Sequence, residues 1–311
     1  MTVDLILNRN ASRLGERSAL RRVLLGAAAR GGARVHETWS LEALDEVAAG
    51  LAAQGTDAVV LAGGDGSHME GVSALARAFP GAMPAVAFAP GGTACTVARN
   101  FGLRDGASAW AERMMRAACD GSARVERKAT LRVRDDAAGD RVGFIFGTGL
   151  VARFFDVYYE SPEPGLAQAA GIAARVFAGS LVGSPLARRV LEPVPCTLEV
   201  DGVLQPARAW SLVLASVVRD VGLHILVNYR AGEELDRFHL VGSGLSPRAL
   251  GMQFQRVLRG RPMRGEPRVD ALVRSLRVSF EQQDAYVLDG DLMRARTVDV
   301  EPGPAISLLL P

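Results

Sequence analysis

Three glycines around an aspartate, Gly63-Gly64-Asp65-Gly66-Ser67, stand between an apolar run, Ala58-Val59-Val60-Leu61-Ala62, and a segment patterned as a helix. Glycine lets a backbone take positive φ and lets a ligand come close to main-chain amides. A helix start adds unpaired N–H groups and roughly half a positive charge. The combination fits a phosphate-binding turn, with Asp65 placed to orient the loop or to join a Mg2+ ion. The plainer reading is a helix cap: Ser67 and Glu70 have capping-box spacing, worth about 1 kcal/mol. A cap explains Ser67 and Glu70 but not three glycines around an aspartate. A second glycine turn, Pro90-Gly91-Gly92-Thr93, follows the strand pattern Pro84–Phe88. Alone it reads as an ordinary turn. Paired with the first, it lies at the carboxyl edge of neighbouring parallel strands, where open α/β sheets bind ligands. Leu288-Asp289-Gly290-Asp291, taken alone, reads as a hairpin turn.

Composition narrows the chemistry. Lys128 is the only lysine of the 311 residues, and no glycine-rich loop precedes it. A P-loop needs its Gly-Lys-Ser/Thr, and a protein kinase needs a strand lysine on its phosphates, so both are excluded. A phosphate site here must use amides, helix starts, arginine or metal. A net charge of +2 gives no case for nucleic-acid binding. Cys95, Cys119 and Cys196 are scattered, as expected in a reducing compartment, and with four dispersed histidines they give no metal-ligand cluster. No signal peptide and no transmembrane run is evident, so the expected location is cytoplasmic or peripheral on the inner membrane face.

The elements that must position these loops alternate in the first third: strands at Val3–Leu7, Ala33–His36, Ala58–Ala62 and Pro84–Phe88, with helices at Arg17–Ala29, from a Ser40 cap to Gln54, from the first glycine turn to Phe79, and after Thr93. This order predicts a parallel sheet with crossover helices. Beyond the boundary at Gly121–Lys128 the texture is mostly antiparallel. Arg124–Arg134 and Arg141–Phe146 read as paired strands around the turn Asp135–Asp140. Leu166–Leu181 reads as an amphipathic helix. Strands are expected at Thr197–Val200, Ala209–Val217, Leu223–Val227, Phe238–Val241, Ser275–Phe280, Ala285–Leu288, Thr297–Val300 and Ile306–Leu310. Gly147-x-Gly149-x-x-Ala152 superficially fits a dinucleotide fingerprint but lacks a βαβ unit. Arg256, Arg259, Arg261, Arg264 and Arg268 form a basic stretch, read as a solvated loop or a membrane-facing patch.

In order along the chain, these blocks resemble the diacylglycerol kinase catalytic-domain family, which includes bacterial lipid kinases, sphingosine kinases and ceramide kinases. Asn8 stands at the family's Asn-Pro motif, with Arg9 for the proline. Gly63–Glu70 matches the Gly-Gly-Asp-Gly-Thr block, with Ser67 keeping the hydroxyl. Pro90, Gly92, Thr93 and Arg99 match the second block, in which Cys95 and Thr96 replace Asn and Asp. Asp289-Gly290-Asp291 matches the late Asp-Gly-Glu block, with Asp291 one methylene shorter than glutamate. The resemblance implies an α/β domain over 1–124, on which the tail from about 292 to 311 packs back, and a β-sandwich lipid-substrate domain over 125–291. It implies ATP and Mg2+ as cofactors. Asn8, Gly63, Gly64, Asp65, Gly66, Ser67, Glu70, Gly91, Gly92, Thr93 and Thr96 would hold the nucleotide. Asp291, as general base, and Asp65 would be catalytic; Asp156 and Arg99 would contact substrate. The acceptor would be a hydroxyl of diacylglycerol, ceramide or a sphingoid base at a membrane surface; a homodimer is compatible with it. Asp156 also reads as a solvated helix residue. Two alternatives stay open: a catalytically impaired lipid-binding or regulatory homologue, and an NAD-kinase-like small-molecule kinase, against which the missing Asn-Glu-x-x-x-Asp segment counts.

Overall fold

The computed structural model describes residues 1–103, 106–137, 139–160 and 165–311. They form two compact units, Met1–Lys128 with Pro304–Pro311, and Ala129–Gly303.

In the first unit β1 (Val3–Asn8), β2 (Arg34–Thr38), β3 (Ala58–Gly63) and β4 (Ala85–Pro90) are parallel. Helices α1 (Ala19–Gly31), α2 (Leu41–Gln54) and α3 (Asp65–Ala78) connect them. Serine hydroxyls start the first two: Ser18 accepts from the Arg21 amide and Ser40 from that of Ala43. After β4 come α4 (Thr96–Asn100), α5 (Ala107–Asp120) and β5 (Arg124–Lys128). The single helix expected after Thr93 is thus two, broken where Gly102 takes a φ of 101°. The last strand of the chain, β17 (Ile306–Leu310), lies between β4 and β5, giving the order β2-β1-β3-β4-β17-β5. Every residue of β3 is buried, as a strand covered on both faces requires.

At the sheet's other end Asp4 is fully buried, yet both its oxygens accept from Arg34, each at 2.7 Å, and His36 Nε2 lies 2.8 Å from Oδ1. Burial pushes its carboxyl up, but the Arg34, Thr56 and His36 contacts outweigh it and hold it below the ordinary value. A depressed carboxylate stabilises the fold above its unfolded value, near 3.9, and that contribution is lost as pH falls through the lower folded value. Asp4→Asn is expected to cost about 2 kcal/mol at neutral pH. It is also expected to flatten the acid limb of stability below about pH 4 in urea titrations. An unchanged acid limb would contradict the assignment.

The second unit runs β6 (Leu131–Asp135), β7 (Gly139–Gly143), β8 (Ile145–Gly149), α6 (Leu150–Tyr159), α7 (Leu166–Val182), α8 (Pro185–Leu191), β9 (Val194–Val200), β10 (Val203–Leu204), β11 (Ala209–Trp210), β12 (Leu212–Ser216), β13 (Phe238–Ser243), α9 (Pro247–Gly251), α10 (Phe254–Leu258), β14 (Arg268–Val273), β15 (Leu276–Leu288) and β16 (Asp291–Pro302). The strands pair antiparallel in one eleven-stranded sheet. The two strands expected at 275–280 and 285–288 are one, β15, whose register with β16 shifts between Ser279 and Asp284. Arg124–Arg134 is not one strand: it divides between β5 of the first unit and β6 of the second. Leu223–Val227 forms no strand, because Leu223 and His224 have φ of 53° and 58°. Residue 138 of the expected turn Asp135–Asp140 lies outside the described residues. Gly147–Ala152 joins the end of β8 to α6, in a sheet without parallel crossovers.

Among the described residues no single helix is long and apolar enough to cross a membrane. Helices α7 and α8 meet that test only as a pair, bent by 103°.

Candidate functional site

Strands β1, β3 and β4 are neighbours, so the segments leaving their carboxyl ends meet. Asn8 closes β1, and its side-chain amide donates to Ser67 Oγ at 2.7 Å. Ser67 Oγ also accepts from the Gly64 amide at 3.3 Å. Helix α3 begins at Asp65 with Gly64 as its cap. The Ser67-to-Glu70 capping box is therefore corrected: Ser67 is the third helical residue and caps backwards, onto Gly64, while Glu70 lies further along the helix. The first intrahelical bond runs from the His68 amide to the Gly64 carbonyl, 2.9 Å. The amides of Asp65, Gly66 and Ser67 precede it and point out of the helix start.

The two glycine turns touch backbone to backbone. The Gly91 amide donates to the Gly63 carbonyl at 2.6 Å. A Cβ built on Gly92 would lie 2.6 Å from Gly64 Cα. None of Gly63, Gly64, Gly66, Gly91 and Gly92 has a positive φ. The expectation that these glycines serve unusual dihedrals is thus overturned for the fold itself: close approach of the two turns accounts for Gly64, Gly91 and Gly92.

Asp65 binds the second turn. Its Oδ2 accepts from the Thr96 amide at 2.8 Å and its Oδ1 from the Val97 amide at 2.9 Å, so a residue of α3 caps α4. Cys95 just before α4 is left-handed, with φ 50°, and its thiol donates to the Gly92 carbonyl at 3.2 Å. Burial, aided by Asp65, pushes that thiol up, which keeps it protonated. Behind the turns His68 is fully buried, with Nε2 3.2 Å from the Ala89 carbonyl. Burial lowers its affinity for a proton, so the ring is neutral and acts as a strut between α3 and β4.

The segment after β1 contributes residues the sequence reading missed. The Arg13 amide donates to the Gly91 carbonyl at 3.0 Å, and Ser12 Oγ lies 3.4 Å from Thr93 Oγ1. Arg13 and Arg99 are both exposed, and both are near enough to act on the Cys95 thiol. They place two cations within electrostatic reach of the second turn's end. Arg13 carries no motif; only its place five residues past Asn8, in the loop that must cross the sheet edge, hints at it. A cavity of about 550 Å³ opens beside it, lined by Ser18, Leu20 and Gly106 among others.

Asp65→Asn keeps the shape but can accept on one atom only, and sets its amide against an N–H. We expect a loss of about 1–3 kcal/mol, concentrated at α4. Amide exchange at Thr96 and Val97 measures it: protection equal to wild type would show that the clamp holds nothing.

In the second unit Leu288 pairs with Asp291, which leaves Asp289-Gly290 as a two-residue hairpin turn with φ of 49° and 100°. Asp289 is buried and accepts from the Phe144 and Ile145 amides, both at 2.9 Å. Its carboxylate pins the turn to β8. Asp291 is exposed at the start of β16. Tyr159 donates to the Gly290 carbonyl at 2.8 Å; burial and then the Asp291 charge push its phenol up. Asp156, on α6, faces Arg294 at 3.9 Å and lines a shallow cavity of about 380 Å³ with Arg153, Arg188, Arg189 and Glu192.

Magnesium carried with a nucleotide keeps most of its water and asks for one or two carboxylates. Asp65 is the carboxylate between the two turns, and both its oxygens already accept amides. Among the described residues no three His, Cys, Asp or Glu side chains converge as a metal site. The turns supply amides and flanking arginines rather than a metal cage.

Residues 2–124 match the family model of the diacylglycerol kinase catalytic domain. This segment belongs to that family. The matched stretch contains both glycine turns, Asn8 and the Asp65 clamp. The whole chain shares its fold with a crystal structure of a diacylglycerol kinase from Bacillus anthracis str. Sterne, at 13% identity and a TM-score of 0.65, covering 100% of this chain and 97% of that one. A second structure from that organism, provisionally named a diacylglycerol kinase, aligns at 14% identity and a TM-score of 0.68, covering 100% and 96%. No curated protein matches the chain in sequence. The catalytic-domain match identifies a kinase-type domain.

Proposed function

We propose that the protein is an ATP-dependent lipid kinase. The observation that carries this reading is the clamp of Asp65 on the Thr96 and Val97 amides. It fixes two glycine turns side by side at one sheet edge, so that helix-start amides with Arg13 and Arg99 replace the lysine that other kinases use. Gly63–Ser67 and Gly91–Thr93 hold the triphosphate, Asn8 fixes the Ser67 hydroxyl, and Glu70 and Thr96 are proposed nucleotide contacts. Magnesium carried in on the nucleotide would supply neutralisation of charge at the phosphates; Asp65, whose two oxygens accept the Thr96 and Val97 amides, would act on it only through the loop it orients.

Asp291 is the general base. The acceptor hydroxyl oxygen bonds to the γ-phosphorus as the bond from that phosphorus to the β–γ bridging oxygen breaks. The hydroxyl proton passes to the Asp291 carboxylate, and ADP leaves with the electron pair. Asp156 and Arg99 are proposed substrate contacts. The acceptor is a lipid hydroxyl, with diacylglycerol, ceramide and sphingoid bases as the candidates.

Transfer of radiolabelled γ-phosphate, measured over a panel of these lipids with NAD and sugar alcohols beside them, tests the reading. Labelling of one lipid class is expected. Labelling of NAD alone moves the protein to the small-molecule kinases. Nucleotide binding with no labelled product, and with Asp291→Ala equally inert, makes it a binding protein instead.

A further inference from the structure

The turn that carries Asp291 is held from two sides by bonds of different character. On the first side Asp289 is buried; the Phe144 and Ile145 amides donate to its two oxygens at 2.9 Å each, and its own amide donates to the Ile145 carbonyl at 2.9 Å. These three bonds close the hairpin onto β8. On the second side Tyr159, the last residue of α6, donates its hydroxyl to the Gly290 carbonyl at 2.8 Å. That carbonyl belongs to the peptide group leading into Asp291, and a planar peptide passes the position of its oxygen directly to the next Cα. Tyr159 is 51% exposed, yet its hydroxyl is turned onto the chain. Its ring is steadied by Phe155 and Tyr158, with centroids 5.8 and 5.3 Å away. A Cβ on Gly290 would come within 3.9 Å of the Phe155 ring. Leu292, the residue after Asp291, packs with Val151 and Phe155 against the buried Ala152, Ala285 and Val287. Further along β16, Arg294 faces Asp156 of α6 at 3.9 Å. Helix α6 therefore touches the chain on both sides of Asp291.

We infer that Tyr159 is a positioning residue for Asp291: its hydroxyl holds the peptide that aims the carboxylate and ties that aim to α6. A packing role alone would be served by phenylalanine, and the hairpin is already closed by its two-residue turn and the Asp289 bonds. A hydrogen bond at a half-exposed place adds little net stability. What this bond does fix is the direction in which β16 leaves the turn. A base must sit within hydrogen-bond reach of the proton it takes, so that direction decides whether Asp291 can act. Burial and then the Asp291 charge push the phenol up, so Tyr159 keeps its proton and goes on donating wherever a carboxylate serves as a base. The inference rests on the reading of Asp291 as the general base and adds the residue that aims it.

Tyr159→Phe removes one oxygen and keeps the ring. With the full chain, saturating ATP and the labelled lipid of the diacylglycerol, ceramide and sphingoid-base panel, kcat is expected to fall about tenfold, less than the roughly hundredfold cost of a full misplacement of about 1 Å. KM for ATP and the melting temperature are expected to stay at wild-type values, since the side chain is half-exposed and far along the chain from the glycine turns. In the Asp291→Asn background the same change is expected to cost less than about twofold, because no base is left to aim. An equal loss in both backgrounds, or a Tyr159→Phe enzyme within about twofold of wild type, overturns the inference and leaves Asp291 as the base. If Asp291→Asn is as active as wild type, the base is lost and Tyr159 loses its role with it. Amide exchange gives a reading that needs no acceptor. In Tyr159→Phe, exchange at the Asp291 amide is expected to quicken about tenfold, with the Phe144 and Ile145 amides, held by Asp289, unchanged. Equal protection at Asp291 in both proteins shows that the hydroxyl aims nothing, and overturns the inference whatever the assay gives.

Discussion

Gly92→Ala is expected to abolish nucleotide binding and to lower the melting temperature by several degrees. The added carbon would sit 2.6 Å from Gly64 Cα and 3.4 Å from the Gly64 nitrogen. Both are backbone atoms at the start of α3, and neither can rotate away. Overpacking of this kind costs about 1–3 kcal/mol, or more where the obstacle is main chain. The turns can separate only by straining the Asp65 contacts to Thr96 and Val97, and a misplacement of about 1 Å is enough to cost roughly a hundredfold where positioning is the work. Two companions calibrate the result. Gly64→Ala meets Gly92 Cα at 3.4 Å and is expected to be milder; a Cβ on Gly15 meets nothing within 4 Å, and Gly15→Ala is expected to be near neutral. Titration with a fluorescent ATP analogue, beside thermal melting, gives both quantities. If Gly92→Ala loses stability yet binds nucleotide as wild type does, the two turns are a structural seam and not a triphosphate site.

Asp291→Asn is expected to lower kcat by about 10²–10⁴, the usual contribution of a positioned base. Nucleotide affinity and melting temperature should stay near wild type, because Asp291 is exposed at a strand start. The comparison with Asp289 makes the test specific. Asp289→Ala would strip the Phe144 and Ile145 amides of their acceptor in a buried place. That costs about 1–3 kcal/mol for each unsatisfied group, a loss of stability. Two carboxylates separated by a single glycine are thus expected to fail in different ways. A proton-accepting role predicts a kcat that falls on the acid side of its pH profile in wild type and loses that dependence in Asp291→Asn. A kcat for Asp291→Asn within about threefold of wild type would remove Asp291 from the chemistry, given the size of such contributions.

The parallel half of the fold was legible because its signals are local. Covered strands such as β3 read as unbroken apolar runs, Ser40 marks a helix start, and the two glycine turns stand at strand ends. The antiparallel half was read less accurately. Strand patterns recur at Leu223–Val227, but the backbone there goes left-handed at two residues. Nothing in the sequence of 275–288 says that a register shift, rather than a turn, interrupts a single strand.

The residue types of the candidate site were fixed by the sequence: glycine turns, one aspartate between them, a hydroxyl at 67, and no lysine but Lys128. What each residue holds was decided only in three dimensions. Asp65 reads equally as a loop-orienting or metal-binding group until its oxygens are seen on the Thr96 and Val97 amides. Ser67 reads as the start of a capping box until Asn8, 59 positions away, is seen to donate to it. Arg13 acquires meaning only when β1 and β4 bring its loop over Gly91. Propensity and periodicity report contacts within a few residues, whereas hydrogen bonds across a sheet edge depend on strand order, which no local pattern encodes.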